Sequence, residues 1–211
     1  MNRVYAYIDG FNLYHSIIEL KTPNKNRLKW LDIRALCSLF TKGDLREVYY
    51  FSAKFKSADT SKLLRQERFI AATKNCGASV ILGKFKRKHL TCKVCGAKYE
   101  TLEEKESDIN IAIAMLQHAF EDKFDEALLL TADTDLVSTI KKIKELFPRK
   151  QITALIPPQR WKRANELRQS ADRSYEIKPS HLRNSLLPEI IRREGGGAIV
   201  MPSEYGESKH E

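Results

Sequence analysis

Twice along the chain, a short apolar run is followed by aspartate and then by a helical pattern. The first run, residues 4–8, precedes Asp9, and the second, residues 127–130, precedes Asp133 and Asp135. Apolar runs of this length are typical of buried strands in a parallel sheet. Ligand sites in open α/β sheets form outside the carboxyl ends of the strands. We therefore expect the three aspartates to meet at one edge of a sheet if the two strands are neighbours.

The remaining sequence alternates between predicted strands and predicted helices. Strands are expected at residues 47–55, 78–83, 152–156 and 175–177, and helices at residues 30–40, 60–75, 108–120, 136–147 and 161–172. This alternation predicts an α/β fold, a Rossmann-like open parallel sheet flanked by helices, in which Cys37 belongs to the core. Residues 1–179 are expected to form one domain, and residues 180–211, which include three consecutive glycines, a partly flexible C-terminal extension.

The chain carries an excess of positive charge. Lysine and arginine number 37 against 27 acidic residues, which gives a net charge of +10 at pH 7. Such an excess favours a polyanionic partner. The aspartates that follow the apolar runs stand where an ordinary solvated face would not place them. The sequence therefore predicts a basic surface around an acidic depression.

Carboxylates that meet at one edge repel one another, so a cluster persists only if a cation or protons neutralise it. Mg²⁺ prefers oxygen ligands and keeps several waters, and it can activate water for attack on a phosphodiester. Asp108 begins a predicted helix and is a fourth candidate ligand, and Glu104, one turn earlier, is a weaker one. The structural alternatives are a turn residue for Asp9 and helix-terminal roles for the other aspartates.

Three segments together resemble the signature blocks of NYN domains. They are residues 8–14 (IDGFNLY), 105–110 (KESDIN) and 131–136 (TADTDL), and the resemblance covers roughly residues 3–157. NYN domains, including the LabA-like branch, belong to the PIN-like nucleases. The resemblance implies an Mg²⁺- or Mn²⁺-dependent ribonuclease, expected to be an endonuclease, on a PIN-like sheet. It also implies that Asp9, Asp108, Asp133 and Asp135 form the acidic set.

The same resemblance points to two further polar residues. Asn12, in the first block, is expected to meet a phosphate or a metal-bound water, although it could simply cap the helix. Thr131 is expected to orient the substrate or a carboxylate. Two other functions stay open: a catalytically inactive RNA-binding or regulatory module, and a haloacid-dehalogenase-type phosphatase, whose aspartate motif resembles residues 133–137 but leaves Asp9 without a role.

Residues 84–99 differ from the rest and predict an inserted basic hairpin that contains cysteines. We expect its cations to contact RNA phosphates and its one aromatic ring to stack on a base; the plain alternative is a solvated charged face. These residues are Lys84, Phe85, Lys86, Arg87 and Lys88. A second basic and aromatic cluster contains Arg160, Trp161, Lys162, Arg163 and Arg168. Both clusters are expected to contact RNA.

The hairpin also contains a candidate zinc site. His89, Cys92 and Cys95 are spaced so that they could share one ion, with Cys76 or a second chain as the source of the fourth ligand. Free cysteines are the alternative. Because a second chain could supply the fourth zinc ligand, a homodimer also stays open.

Two features bear on location. No apolar run approaches the roughly 20 residues that cross a bilayer, so no membrane partner is expected. The chain begins directly with a strand pattern, and its four cysteines are too few for a disulfide scaffold. We therefore expect a cytoplasmic protein.

Overall fold

The computed structural model describes residues 1–54, 59–193 and 195–206, and within these it leaves aside the side chains of residues 86–88 and 101–105. The strands of the described residues are β1 (Arg3–Asp9), β2 (Asp44–Ala53), β3 (Ser79–Thr91), β4 (Lys98–Lys105), β5 (Glu126–Leu130), β6 (Gln151–Ile156), β7 (Arg173–Glu176), β8 (Ile190–Arg192) and β9 (Ala198–Val200). The α-helices are α1 (Gly10–Ile18), α2 (Ile33–Ser38), α3 (Thr60–Asn75), α4 (Ser107–Phe120), α5 (Val137–Leu146), α6 (Asn165–Ser170) and α7 (Pro179–Arg183).

Seven of the strands form one sheet in the order β4-β3-β2-β1-β5-β6-β7. Six of them, from β3 to β7, run parallel, and β4 pairs antiparallel with the outer half of β3. Helices cover both faces, because parallel strands need crossover connections. The predicted α/β fold with an open parallel sheet is confirmed.

Strand β1 lies at the centre of the sheet, between β2 and β5. Ile8 pairs with Leu130 of β5, and Asp9 pairs with Phe51 of β2. Alternate side chains enter two apolar clusters on opposite faces, Tyr7 on one and Ile8 on the other. Full burial of an aliphatic side chain such as Ile8 contributes about 1.5–3 kcal/mol. The first apolar run is therefore held on both faces and along both edges.

The amino-terminal end of β1 is fixed to the loop before β5 by an ion pair. The backbone N–H of Arg3 donates to Asp125 Oδ2 (2.8 Å), and its guanidinium donates to Asp125 Oδ1 (2.7 Å). These bonds hold the pKa of Asp125 down at about 2. The pair thus stabilises the alignment of β1 with β5 at the end opposite to Asp9.

The C-terminal extension packs on the domain as far as Tyr205. Trp30 is completely buried at the centre of a third apolar cluster that includes Leu187 and Tyr205, and its Nε1 donates to the carbonyl oxygen of Pro188 (2.9 Å). The three glycines all have positive φ and lie between β8 and β9, where such angles favour glycine. Residues 194 and 207–211 lie outside the described part, so the predicted partial flexibility stays a prediction.

Several predicted boundaries were wrong. The predicted helix at 30–40 is shorter, because the Asp32 carboxylate accepts the N–H of Ala35 (2.8 Å) and starts α2 after it. The helix expected at 161–172 is reduced to α6. The hairpin arms extend to Lys105, beyond the predicted 84–99, and place Glu104 on β4 rather than on a helical face with Asp108. Phe55, the predicted end of the second strand, lies outside the described residues.

Two further features complete the fold. Cys37 has no exposed surface, so its predicted place in the core is confirmed. No helix within the described ranges combines the length and the apolar character that crossing a membrane requires.

Candidate active site

Asp9 ends β1 and also begins α1. Its Oδ1 accepts the backbone N–H of Asn12 (2.9 Å), so Asp9, and not Asn12, caps the helix. The residue is only 4% exposed. Asp9 is therefore a buried acceptor at the carboxyl end of the central strand.

Thr131 joins the two strand ends. Its buried hydroxyl donates to Asp9 Oδ2 (2.8 Å) and accepts the backbone N–H of Asp133 (3.0 Å). Asp133 Oδ1 in turn accepts the backbone N–H of Asp135 (2.9 Å) and begins a short 3₁₀ turn. One hydroxyl thus connects the aspartate of β1 to the acidic loop after β5.

Asp108 approaches the same loop from the other side. It is half-buried in the first turn of α4, and the preceding Glu106 has a φ of +83°, a left-handed conformation that turns the chain from β4 into the helix. Burial raises the pKa of Asp108, and the nearby carboxylates of Asp133 and Asp135 raise it further. Asp108 therefore lies within electrostatic reach of the acidic loop after β5.

A cleft opens beside these carboxylates. It is lined by Phe11, Asn12, His15, Ala132, Asp133, Thr134, Arg160 and Arg163. Asn12 Oδ1 is buried without a hydrogen-bond partner among the described residues. Such an atom costs free energy unless a ligand or water satisfies it. The residues that line the cleft therefore include the acidic loop, Asn12, and the guanidinium groups of Arg160 and Arg163.

Gly10 permits the close approach of β2 to the start of α1. A Cβ at this position would lie within 2.7 Å of the carbonyl oxygen of Phe51 and would overlap the ring of Tyr50. A larger residue would push the helix away from the sheet. The glycine after Asp9 is thus required by packing, since its φ is not positive.

The predicted basic residues fall into two groups. Lys84 is exposed on β3, whereas the side chains of Lys86, Arg87 and Lys88 lie outside the described part of the structure. Phe85 is 7% exposed and faces the Phe11 ring at 6.3 Å, which leaves little of its surface for a base. The expected stacking role of Phe85 is therefore not supported.

The second basic cluster lies partly in the cleft. Arg160 pairs with Glu19 (2.5 Å), and Arg163 is exposed on the cleft wall. The guanidinium of Arg168 lies 4.2 Å from the centre of the Trp161 ring and covers one of its faces. Of this cluster, Arg160 and Arg163 are the two that reach the candidate site.

Of the predicted zinc ligands, Cys92 and Cys95 meet through a side-chain hydrogen bond, but no group of three ligands forms among the described residues. His89 faces Glu100 across the hairpin, with 3.5 Å between Nδ1 and Oε1. Cys92 Sγ accepts the backbone N–H groups of Cys95 and Val94, which lower the pKa of the Cys92 thiol. Cys76, suggested as a fourth ligand, packs against the third apolar cluster instead.

The comparisons with known proteins agree with the fold described above. The family model described as the NYN domain matches residues 3–178. The chain belongs to the NYN domain family. Among solved structures, that of VPA0982, a protein of unknown function from Vibrio parahaemolyticus RIMD 2210633, is similar, with a TM-score of 0.56. The two chains are 16% identical over 88% of this chain and 96% of the other, which shows a common fold. No curated protein matches.

Membership in the NYN family makes this chain a nuclease-type domain on a PIN-like sheet. It gives no support to the phosphatase alternative, which already left Asp9 without a role. The matched region ends at residue 178, so the extension that packs against Trp30 lies beyond it.

The NYN site differs from a closed metal cage. Across the described ranges, no three His, Cys, Asp or Glu side chains are arranged to hold a metal ion together. The donors at this edge are carboxylate oxygens, the ligands that Mg²⁺ prefers, and Mg²⁺ is usually held by one or two carboxylates and several waters. Asn12, whose Oδ1 has no hydrogen-bond partner among the described residues, lines the same cleft as Asp133.

Sequence reasoning missed His15. It lies one turn after Phe11, with their rings 4.2 Å apart, and burial lowers its pKa. Its spacing from Phe11 on a helix that begins at Asp9 is the signal that could have identified it.

Proposed function

We propose that this NYN domain is a metal-dependent ribonuclease that hydrolyses RNA phosphodiester bonds endonucleolytically, with Mg²⁺ or Mn²⁺ as cofactor. One observation carries the proposal: the Thr131 hydroxyl bonds both to the carboxylate of Asp9 and to the backbone of Asp133. It ties the acidic residues of two neighbouring strands to one sheet edge in a chain of net charge +10.

Asp9, Asp108, Asp133 and Asp135 are the residues that would hold the metal, one or two of them directly and the others through its bound waters. When bound, such an ion supplies an activated water and stabilises the charge that develops on a phosphodiester. Thr131 orients the Asp9 carboxylate through its hydrogen bond. Burial and its acidic neighbours raise the pKa of Asp108, and a nearby cation would favour its ionised form.

The substrate would enter through the cleft. Arg163 and Arg160 would pair with phosphates on the wall opposite Asp133, and Asn12 would face a phosphate or a metal-bound water. Lys84 and the neighbouring cations of the hairpin, Lys86, Arg87 and Lys88, would extend this basic track. RNA is the polyanion proposed, in keeping with the nuclease family.

Three finer assignments belong to the same proposal. The domain would belong to the LabA-like branch, and the protein would act in the cytoplasm. Zinc would bind at the hairpin turn through Cys92 and Cys95, with the remaining ligands from His89 or from a second copy of the chain. The bonds from backbone N–H groups to Cys92 Sγ support this, because they favour the thiolate. Zinc analysis of the wild type and of Cys92→Ser tests it.

The proposed activity is tested with purified protein and labelled RNA. Single-stranded, structured and circular RNAs are incubated with Mg²⁺, with Mn²⁺ or with a chelator. We expect cleavage, including opening of the circle, that chelator abolishes. Asp9→Asn and Asp133→Asn should each lower the cleavage rate by more than about a hundredfold, since metal stabilisation contributes several kcal/mol, while RNA binding persists. Asp44→Asn, an exposed carboxylate at the amino-terminal end of β2, is the matched control.

The outcomes separate the candidates. Cleavage that survives the chelator would overturn the metal mechanism. RNA binding with no cleavage under any metal would instead identify a catalytically inactive RNA-binding module. Cutting of linear RNA from one end only, with intact circles, would replace the endonuclease by an exonuclease.

A further inference from the structure

A second cavity lies on the other side of α1 from the acidic cleft. It has a volume of about 140 Å³ and is enclosed by α1, β2, α3 and the C-terminal segment Ser203–Tyr205. An engineered cavity of about 150 Å³ admits a benzene molecule, so this space suits one planar six-membered ring. Its size is that of a single aromatic guest.

Five aromatic rings line this cavity, those of Phe11, Tyr14, Tyr50, Phe69 and Tyr205. Tyr50 and Phe69 pack edge to face, with ring centres 5.7 Å apart, on the inner side. Tyr14, which is 36% exposed, and Tyr205, which is 9% exposed, contribute the outer side. Aromatic walls of this kind bind unstacked bases, because every base offers a flat face for stacking.

Three cations lie at the rim of the same cavity: Lys29, Lys62 and Arg65. The ammonium of Lys29 lies 5.7 Å from the Tyr14 ring centre and 5.8 Å from that of Tyr205. Burial lowers the pKa of Lys29, and the charges of Lys25 and Arg65 lower it further. Lys62 also pairs with Asp59 (3.6 Å), and Arg65 pairs with Glu204 (2.6 Å). An aromatic space with a cationic rim matches a base joined to a phosphate.

The cavity and the carboxylates share the same edge of the sheet. Ser52, on its wall, follows Phe51, which is the register partner of Asp9. Phe11 lines both this cavity and the acidic cleft. A strand of RNA that crosses the start of α1 would thus meet both.

We propose that this cavity binds one unstacked base of the RNA substrate, with the adjoining phosphate at Lys29, Lys62 and Arg65. The inference rests on the proposed function and gives its site a subsite next to the scissile bond. Tyr205 lies beyond the residues that match the NYN family and is held there by a 2.6 Å ion pair between Glu204 and Arg65. The C-terminal extension therefore completes the base site of this chain.

The test measures RNA binding without cleavage. Full-length protein with Asp133→Asn is titrated, in chelator, with a short labelled RNA and with an abasic strand of the same length and charge. Tyr14→Ala and Tyr205→Ala should each weaken binding of the RNA by about fivefold or more, as loss of a stacking ring does. Neither should weaken binding of the abasic strand. Tyr14→Phe and Tyr205→Phe should bind RNA as the parent does.

Two controls keep the result decisive. Tyr175→Ala removes an exposed tyrosine at the far edge of the sheet and should leave both affinities unchanged. Should Tyr205→Ala melt at a lower temperature because the extension detaches, Tyr14→Ala decides alone, since its ring is on the surface of α1.

Equal losses for RNA and abasic strand, or no loss in Tyr14→Ala, would overturn the proposal. A nucleoside monophosphate that binds as tightly as the RNA, with the same dependence on Tyr14, would also overturn it in favour of a free-nucleotide site. Absence of cleavage by the wild type, with base-dependent binding intact, would count against the proposed ribonuclease and not against the base site.

Discussion

The hydroxyl of Thr131 donates a 2.8 Å hydrogen bond to the buried carboxylate of Asp9, across the β1–β5 pair. The same hydroxyl accepts the backbone N–H of Asp133. A single side chain thereby sets the position of one acidic residue relative to the loop that carries two others. A substitution of Thr131 can therefore disturb the site without removing a carboxylate.

Thr131→Val is expected to lower the cleavage rate by about 10- to 100-fold, the usual effect of losing a group that orients a metal ligand. It should also lower the free energy of unfolding by about 1–3 kcal/mol, since a buried acceptor loses its donor. Thr131→Ser should restore both. Activity is measured at a temperature at which each variant remains folded.

Thr153→Val is the matched control for this change. Thr153 Oγ1 donates to the buried carboxylate of Glu126 (2.7 Å), at the opposite end of β5 from the site. Its loss should reduce stability to a similar extent and leave the cleavage rate of the folded protein unchanged. Equal losses of activity in the two valine variants would show that Thr131 acts through stability alone.

Asp108→Asn should raise the melting temperature of the metal-free protein at neutral pH while it abolishes cleavage. The pKa of Asp108 is raised above 3.8 in the folded state, so its charged form opposes folding. Its contribution to stability is greatest below pH 3.8 and falls as the pH rises through the folded-state pKa. The gain from asparagine should therefore be present at pH 7 and absent near pH 3.

Metal should reverse this order. Binding to the folded state raises the melting temperature by mass action, so Mn²⁺ should stabilise the wild type more than Asp108→Asn. A variant that is less stable than the wild type at neutral pH without metal would contradict the proposed repulsion.

Asp125→Asn tests the ion pair at the other end of β1. The pKa of Asp125 is lowered from 3.8 to about 2, first by the side chain of Arg3 and then by its backbone N–H. The ionised form therefore stabilises the fold above pH 3.8, and this contribution is lost as the pH falls towards 2. Thermal melts should show a deficit for the variant at pH 7 that shrinks at pH 2. A constant deficit at both pH values would rule out the charge as its cause.

Arg163→Ala should weaken RNA binding in a salt-dependent way. If Arg163 contacts one phosphate, the slope of log affinity against log salt for single-stranded RNA should decrease in magnitude by about 0.7. The change should not depend on RNA sequence, since phosphate contacts carry none. Lys141→Ala, an exposed cation on α5 outside the cleft, is the comparison. An unchanged slope in Arg163→Ala would place the RNA elsewhere.

The sequence was most informative where strands are buried. Apolar runs before Asp9 and Asp133 gave the two central strands, and their pairing follows once crossovers place β1 beside β5. The family resemblance anticipated that Thr131 orients the substrate or a carboxylate. That Asp9 is its partner could not be foreseen, because the bond depends on the register between two strands and joins residues 122 positions apart in the chain.

The C-terminal extension was least readable. Its strands β8 and β9 have three residues each, too few for periodicity to indicate them. Tyr205 reaches its cavity through contacts with Lys29 and Arg65, which no local pattern encodes. The helix predicted over 161–172 is shorter in the structure. It spans Asn165–Ser170, and Leu167 is its buried residue.

The central claim is that one hard divalent ion binds, through one or two carboxylates and its own waters, at the sheet edge that carries Asp9, Asp108, Asp133 and Asp135. Diffraction from crystals soaked in Mn²⁺ tests it most directly, because the anomalous signal locates the ion among the carboxylates. We expect a peak at this sheet edge, at about 2.0–2.3 Å from carboxylate oxygens and with waters completing the octahedron, and its loss in Asp133→Asn. Crystals with no peak at this edge, or with a peak that persists in Asp133→Asn, would contradict the account.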